Sequence, residues 1–131
     1  MPECQATPRI VLASSSPSRL SILRSAGVEP VVQVSGVDED AAMQRLIDEA
    51  TSQGRAPAPA EKVCHLAKAK ANAVLEDGLR LGEGDVLIGG DSMLLLDGEL
   101  QGKPHTAEET VRRWQQQRGK QIGRASCRER V

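Results

Sequence analysis

The stretch RIVLASSSPSRLSILRSAG, residues 9–27, predicts a strand that passes into a helix through a serine-rich corner. Residues 10–12 form a short apolar run that is typical of a buried strand. Leu20, Leu23 and Ala26 then recur at helical spacing. The stretch therefore predicts one strand and one helix in direct succession.

The corner itself raises a question of charge. Ser16 is suited to cap the helix and Pro17 suits its first position. Arg19 then lies in the first helical turn, where a cation costs about 0.3–1 kcal/mol because the helix dipole is positive there. An anion such as a phosphate, bound by Ser14, Ser15 and the open backbone N–H groups, would balance that arginine. The alternative is that Ser16 only caps the helix and Arg19 reaches outward to solvent.

The middle of the chain continues to alternate strand and helix patterns. PVVQVS (30–35) predicts a second strand, and EDAAMQRLIDEATSQG (39–54) predicts a helix. AEKVCHLAKAKANAVLEDG (60–78) is the strongest helical pattern of the chain, with an apolar stripe along one face.

The segment DVLIGGDSMLLLDGEL (85–100) contains two apolar runs interrupted at GGD, followed by the hairpin signal Asp97-Gly98. A capping box at Thr106 opens a last helix, whose Val111 and Trp114 we expect to face the core. Together the elements predict an α/β class with a mixed, twisted sheet flanked by helices, the hairpin supplying the antiparallel part.

The composition of the chain limits the classes of partner that it can bind. The chain has 131 residues, a net charge of −1, one Trp and no Phe or Tyr. Nucleic-acid binding is disfavoured, because it calls for a basic excess or for aromatic stacking platforms. No apolar window is long enough to span a membrane, and the N-terminus lacks the apolar run of a signal peptide. We expect a cytoplasmic protein with no membrane partner.

Cysteine and histidine spacing gives little support for metal or disulfide chemistry. Cys4, Cys64 and Cys127 are odd in number and form no CxxC pair, so neither a disulfide framework nor a zinc ribbon is predicted. This usage suits a reducing compartment. His65 and His105 have no partner at metal-ligand spacing and are expected at the surface.

Four further residues are candidates for chemistry. Asp91 follows two glycines and could hold a divalent cation or take a proton from water, or simply cap a bulge. Lys70 lies in the middle of an apolar helical stripe, so it must either snorkel outward or meet an anion. Lys103, in GKP after the hairpin, is expected to be a solvated turn lysine. Glu39, in an acidic turn, could supply a metal ligand, but such runs are more often solvated.

In order along the chain, LASSSPSR, SGVDED, LAKAKA, GGDSMLLLDGELQGKP and TAEETVRRWQQQRG resemble the Maf family of nucleotide pyrophosphatases. The resemblance implies an α/β fold like that of inosine-triphosphate pyrophosphatases, usually in a homodimer. It also implies hydrolysis of a non-standard, modified or pyrimidine nucleoside triphosphate to monophosphate and diphosphate, with Mg²⁺ or Mn²⁺ as cofactor.

The resemblance also implies roles for individual residues. Asp91 would activate water and, with Glu39, hold the metal. Lys70 and Lys103 would neutralise substrate charge, while the Ser14–Arg19 corner, including Ser16, would grip the triphosphate. A nucleotide-binding regulator linked to septum formation, or an inactive fragment, are the alternatives.

The resemblance covers one domain, residues 8–119, and ends there. The tail KQIGRASCRERV, residues 120–131, shows neither periodicity nor resemblance to the continuation found in the family. We expect this tail to be disordered or the product of a truncated or misjoined reading frame, so that the chain lacks the C-terminal part of the fold.

Overall fold

The computed structural model describes residues 7–34 and 36–130 of the chain. The strands are β1 (Ile10–Ala13), β2 (Val31–Val32), β3 (Val86–Leu96), β4 (Glu99–Gln101) and β5 (Gly123–Arg130). The helices are α1 (Pro17–Ser25), α2 (Glu39–Ser52), α3 (Pro59–Glu76) and α4 (Ala107–Gln117). None of the helices within the described ranges has the length and apolar character needed to cross a membrane.

The five strands form one mixed sheet in the order β2-β1-β3-β4, with β5 on the other edge of β3. β1 is parallel to β2 and to the first part of β3, whereas β4 and β5 are antiparallel to β3. The predicted α/β class and mixed sheet are confirmed. Ser35, the last residue of the second predicted strand, lies outside the described residues.

The core lies between the sheet and α3. Val11 and Leu87 from neighbouring strands pack against Ala71 and Val74 of the helix, and all four are essentially inaccessible to solvent. Burying a valine or leucine side chain stabilises a fold by about 1.5–3 kcal/mol. Because the apolar stripe of α3 is anchored in this way, other residues on the same face of the helix are also directed at β3.

The strand β3 runs without interruption through GGD, although the sequence predicts a break there. Its first part pairs with β1 as far as Gly89, and its last part pairs with β4 from Leu94 onward. Glycine weakens a strand locally but does not end it when partners hold both sides of it. Asp91 is therefore inside a long strand and not at a turn.

Two predicted local motifs lie on either side of β4, the Asp97-Gly98 hairpin turn and the cap of α4. Asp97 and Gly98 have φ values of 51° and 80°, the left-handed conformations that a type I′ hairpin turn requires. At the start of α4 the Thr106 hydroxyl accepts a hydrogen bond from the Glu109 backbone N–H at 3.1 Å. The predicted hairpin and helix cap are therefore confirmed.

The apolar face of α4 is not part of the core. Trp114 is 68% exposed and Val111 is 56% exposed, so the prediction that they face inward is wrong. Within the described residues, α4 makes only marginal contacts with other helices or strands. The amphipathic pattern identifies an apolar face but does not determine what covers it.

Residues 123–130 form a strand, so the expectation that residues 120–131 are disordered is wrong for them. Backbone hydrogen bonding along a free strand edge needs no hydrophobic side-chain pattern, which is why periodicity gave no signal. The pairing brings Cys127 beside Cys64 of α3, with their Cα atoms 5.0 Å apart in a disulfide. The expectation of unpaired cysteines is thus wrong for these two, while Cys4 lies outside the described residues.

His65 also departs from its predicted surface position. It is half-buried, and its Nε2 lies 2.8 Å from the Ala42 carbonyl oxygen of α2. This contact ties α2 to α3. His105 is exposed, as expected.

Asp85 anchors the adjacent starts of β1 and β3. Its carboxylate accepts hydrogen bonds from the backbone N–H groups of Arg9, at 2.7 Å, and Gly82, at 2.9 Å. These two bonds hold the pKa of Asp85 below its ordinary value of 3.8; burial opposes them, and the Arg9 guanidinium adds to them. The ionised carboxylate therefore stabilises the fold.

We expect Asp85→Asn to lower the free energy of unfolding at pH 6 and to have a smaller effect at pH 3. Because the folded pKa is depressed, the stabilisation is fully present above the unfolded pKa and is lost as the pH falls through the folded pKa. Urea unfolding of both proteins at the two pH values measures this. Asp48→Asn, on the exposed face of α2, is the control, and an equal loss at both pH values would contradict the prediction.

Candidate phosphate and carboxylate site at the edge of the sheet

A gap between the partners of β3 positions the site. β1 pairs with β3 up to Gly89 and β4 pairs from Leu94, which leaves residues 90–93 between the two partners on that edge. The loop that follows β1 opens into the same place. In open α/β sheets, ligands bind at the carboxyl ends of parallel strands. The predicted serine corner and Asp91 therefore meet at this edge.

The serine corner is closed by Arg19. The Ser16 hydroxyl caps α1 by accepting from the Arg19 backbone N–H at 3.4 Å, as predicted. The Arg19 guanidinium donates from Nη1 to the hydroxyl of Ser14, which is 6% exposed, at 2.7 Å. Arg19 Nη2 lies 3.5 Å from the Ser92 hydroxyl of β3. Arg19 thus turns back over the corner and does not reach outward to solvent.

The two glycines of GGD have separate roles. A Cβ atom at Gly89 would collide with the Ala67 carbonyl oxygen of α3, so this glycine permits close packing of helix and strand. A Cβ atom at Gly90 would lie 3.0 Å from Arg19 Nε, so this glycine leaves room for the guanidinium. At both positions the absence of a side chain thus allows another group to approach the backbone closely.

Asp91 lies on the opposite face of β3, because side chains alternate along a strand. It is 6% exposed, and its Oδ1 accepts a hydrogen bond from Lys70 Nζ at 2.9 Å. Lys70 Nζ also lies 3.1 Å from Glu39 Oε1, at the start of α2. Asp91 Oδ2 is buried and has no hydrogen-bond partner among the described residues. Three predicted site residues from three elements therefore converge.

The charge state of this cluster follows from its contacts. Burial alone would lower the pKa of Lys70, but the hydrogen bonds from its ammonium to Asp91 and Glu39 outweigh that effect and raise the pKa above its ordinary value of 10.5. Lys70 is thus a cation at neutral pH. Of the two alternatives for a lysine on the apolar stripe, the structure shows contact with anions, which are carboxylates of the chain itself.

Lys103 is not brought into this cluster. It is exposed in the connection between β4 and α4, and within the described part of the chain no hydrogen bond or ion pair joins it to the other predicted site residues.

Ser92, which lies within hydrogen-bond distance of Arg19, was not predicted as a site residue. Its signal was its position next to Asp91 on a strand, which directs it to the same face as Gly90 and hence to Arg19.

The carboxylates of Asp91 and Glu39 fit a hard divalent cation in part. Both lie within 3.1 Å of one ammonium nitrogen, and Asp91 retains an unpartnered buried oxygen. Among the described residues, no group of three or more His, Cys, Asp or Glu side chains could hold a metal. Mg²⁺ is commonly bound by one or two carboxylates together with substrate phosphates, so two carboxylates suffice for a metal shared with a polyphosphate.

The edge of β3 thus carries an arginine–serine corner on one face of an α/β sheet and a lysine-paired buried carboxylate on the other. The family model of Maf-like proteins matches residues 9–126. The chain belongs to this family.

The curated relatives that the chain matches are named nucleoside triphosphate pyrophosphatase. The chain is 62% identical over 111 residues to that of Corynebacterium diphtheriae, covering 85% of this chain and 50% of the relative. Identity to the Corynebacterium aurimucosum protein is 57% over 112 residues, covering 86% and 50%. For the Corynebacterium efficiens protein it is 56% over 112 residues, covering 86% and 51%. The chain thus spans about half the length of these relatives.

Proposed function

We propose that this chain hydrolyses a nucleoside triphosphate to the nucleoside monophosphate and pyrophosphate. The observation that supports this most directly is the buried Asp91 carboxylate, whose Oδ1 is held by Lys70 and whose Oδ2 has no partner within the described ranges. Membership of the Maf-like family supports the same reaction, and so does the name nucleoside triphosphate pyrophosphatase that its relatives carry. The Arg19 corner on the other face of β3 supplies a site for the phosphates.

In the proposed reaction Asp91 acts as general base. Oδ2 takes a proton from a water molecule, and the oxygen of that water forms a bond to the α-phosphorus. The bond between the α-phosphorus and the bridging oxygen to the β-phosphate breaks, and pyrophosphate leaves with the electron pair. The hydrogen bond from Lys70 to Oδ1 orients the carboxylate before the substrate and the metal bind.

The remaining residues bind the substrate. Arg19 binds the triphosphate together with Ser14 and the capping residue Ser16, because a guanidinium and open backbone N–H groups at a helix N-terminus favour anions. Lys70 and Lys103 neutralise charge on the phosphates. Glu39 and Asp91 hold Mg²⁺ or Mn²⁺, which when bound polarises phosphoryl oxygens and withdraws charge from them.

The test of this function is product analysis with the purified chain. We expect a non-standard, modified or pyrimidine nucleoside triphosphate to yield equimolar monophosphate and pyrophosphate, with a rate that depends on added Mg²⁺ or Mn²⁺. Chromatography of the nucleotides and an enzymatic pyrophosphate assay measure the two products. Release of orthophosphate and diphosphate would contradict the proposed cleavage position, and binding without any hydrolysis would favour a nucleotide-binding regulator.

A further inference from the structure

The ammonium of Lys70 lies between the two carboxylates that the proposed function assigns to the metal. Nζ is 2.9 Å from Asp91 Oδ1 and 3.1 Å from Glu39 Oε1, and the lysine side chain is only 22% exposed. The ammonium therefore pairs with both carboxylates and cancels one of their two negative charges. It does so from the position where a divalent ion would have to make its own contacts.

A metal ion entering this place would meet a fixed positive charge within a few ångströms. Two like charges a few ångströms apart repel each other strongly in a partly buried site, and more strongly when one of them is divalent. Metal binding therefore requires Lys70 to break its ion pairs and turn away. A phosphate group is the natural acceptor for the displaced ammonium, because the proposed function places the triphosphate at the Arg19 corner, whose guanidinium lies at the same edge of β3.

We infer that Lys70 is a built-in counter-cation that keeps metal affinity low until a polyphosphate is present. This inference deepens the proposed function and rests on its assignment of Glu39 and Asp91 as metal ligands. Lys70 then acts twice, first by excluding the metal from the free protein and then by neutralising the substrate. Since coupling free energies are reciprocal, the polyphosphate and the metal promote each other's binding.

The direct test is Mn²⁺ binding without nucleotide, measured by electron paramagnetic resonance on the wild-type chain and on variants. We expect Lys70→Met to raise Mn²⁺ affinity by about tenfold or more, since a short-range repulsion is removed. Lys70→Arg keeps a cation in place and should leave the affinity low. Lys68→Met removes an ammonium from the exposed side of the same helix and should change it less than about threefold, because exposed charges are screened.

A second readout follows the lysine itself. Titration of the wild-type chain with Mg²⁺ in the presence of inorganic triphosphate should shift the ¹³Cε resonance of Lys70, assigned by its loss in Lys70→Met, as the ammonium leaves the carboxylates, whereas the same Mg²⁺ concentrations alone should leave it unmoved. Lys70→Gln serves as a second neutral variant if Lys70→Met does not fold.

The outcomes distinguish a failure of the counter-cation role of Lys70 from a failure of the proposed metal ligands. Equal Mn²⁺ affinity in wild type, Lys70→Met and Lys70→Gln, with a Lys70 resonance that Mg²⁺ and triphosphate together do not move, would overturn the counter-cation role. Failure of Asp91→Asn to abolish Mn²⁺ binding in the Lys70→Met background would instead refute the proposed metal ligands.

Discussion

Replacing Asp91 by asparagine is expected to lower the rate of pyrophosphate release by about 10²–10⁴-fold, the usual contribution of general-base catalysis. Asparagine keeps the size of the side chain and can still accept a hydrogen bond from Lys70, but it offers no basic oxygen to take a proton from water. The native Oδ2 is the buried oxygen without a partner among the described residues, and it is the atom to which the proposed mechanism assigns the proton. Initial rates at saturating nucleotide and metal measure the effect.

The same variant should separate chemistry from recognition. Nucleotide affinity, measured by calorimetry, should change far less than turnover, because the Arg19 corner on the other face of β3 is untouched. Asp48→Asn removes a carboxylate that is exposed on α2 and accepts a hydrogen bond from Gln44 at 2.8 Å, so it should retain the wild-type rate. Pyrophosphate release by Asp91→Asn at close to the wild-type rate would refute the assignment of the base.

Replacing Arg19 by alanine is expected to weaken nucleoside triphosphate binding by about 1.5–3 kcal/mol, the range for hydrogen bonds to charged groups. The guanidinium is held at the corner by the Ser14 hydroxyl at 2.7 Å, so its charge is available without reordering the side chain. The fold should tolerate the change, because α1 buries none of its residues and Ser14 still accepts from the Ser16 backbone N–H. Calorimetry in the Asp91→Asn background avoids turnover.

The loss should be concentrated on the phosphates. The monophosphate should lose less affinity than the triphosphate, and Arg19→Lys should fall between wild type and Arg19→Ala, because lysine keeps the charge but not the planar fork. Arg24→Ala provides the matched control, since Arg24 lies on the same helix but pairs with Glu29 on the exposed surface. Unchanged triphosphate affinity in Arg19→Ala would remove Arg19 from the binding site.

Local rules were sufficient for several parts of this site. The Ser16 cap, the strand-to-helix corner and the Asp97-Gly98 hairpin depend only on residues close in sequence, and each was predicted correctly. Lys70 was found because its helical angle placed a charge on an apolar stripe, a pattern that one helix contains in full.

Other features depended on contacts between distant segments. The burial of Asp91 inside an unbroken strand follows from β1 and β4 holding different parts of β3, which the interrupted apolar pattern does not reveal. The exposure of Trp114 also depends on distant segments. The amphipathic pattern of a helix identifies its apolar face but does not show whether another segment packs against that face. The pairing of Cys64 with Cys127, 63 positions apart, depended on where β5 lies.

The sequence by itself determined the α/β class, the order of the elements as far as α4 and the candidate site residues, because propensity, capping and turn chemistry act over a few residues. Only the tertiary structure decided that Lys70 lies between Asp91 and Glu39 and that Arg19 reaches across to Ser92. Those distances are set by the packing of α2 and α3 on the sheet and by the gap in the pairing of β3. These distances cannot be predicted from the residues adjacent in sequence, because they depend on segments far apart in the chain.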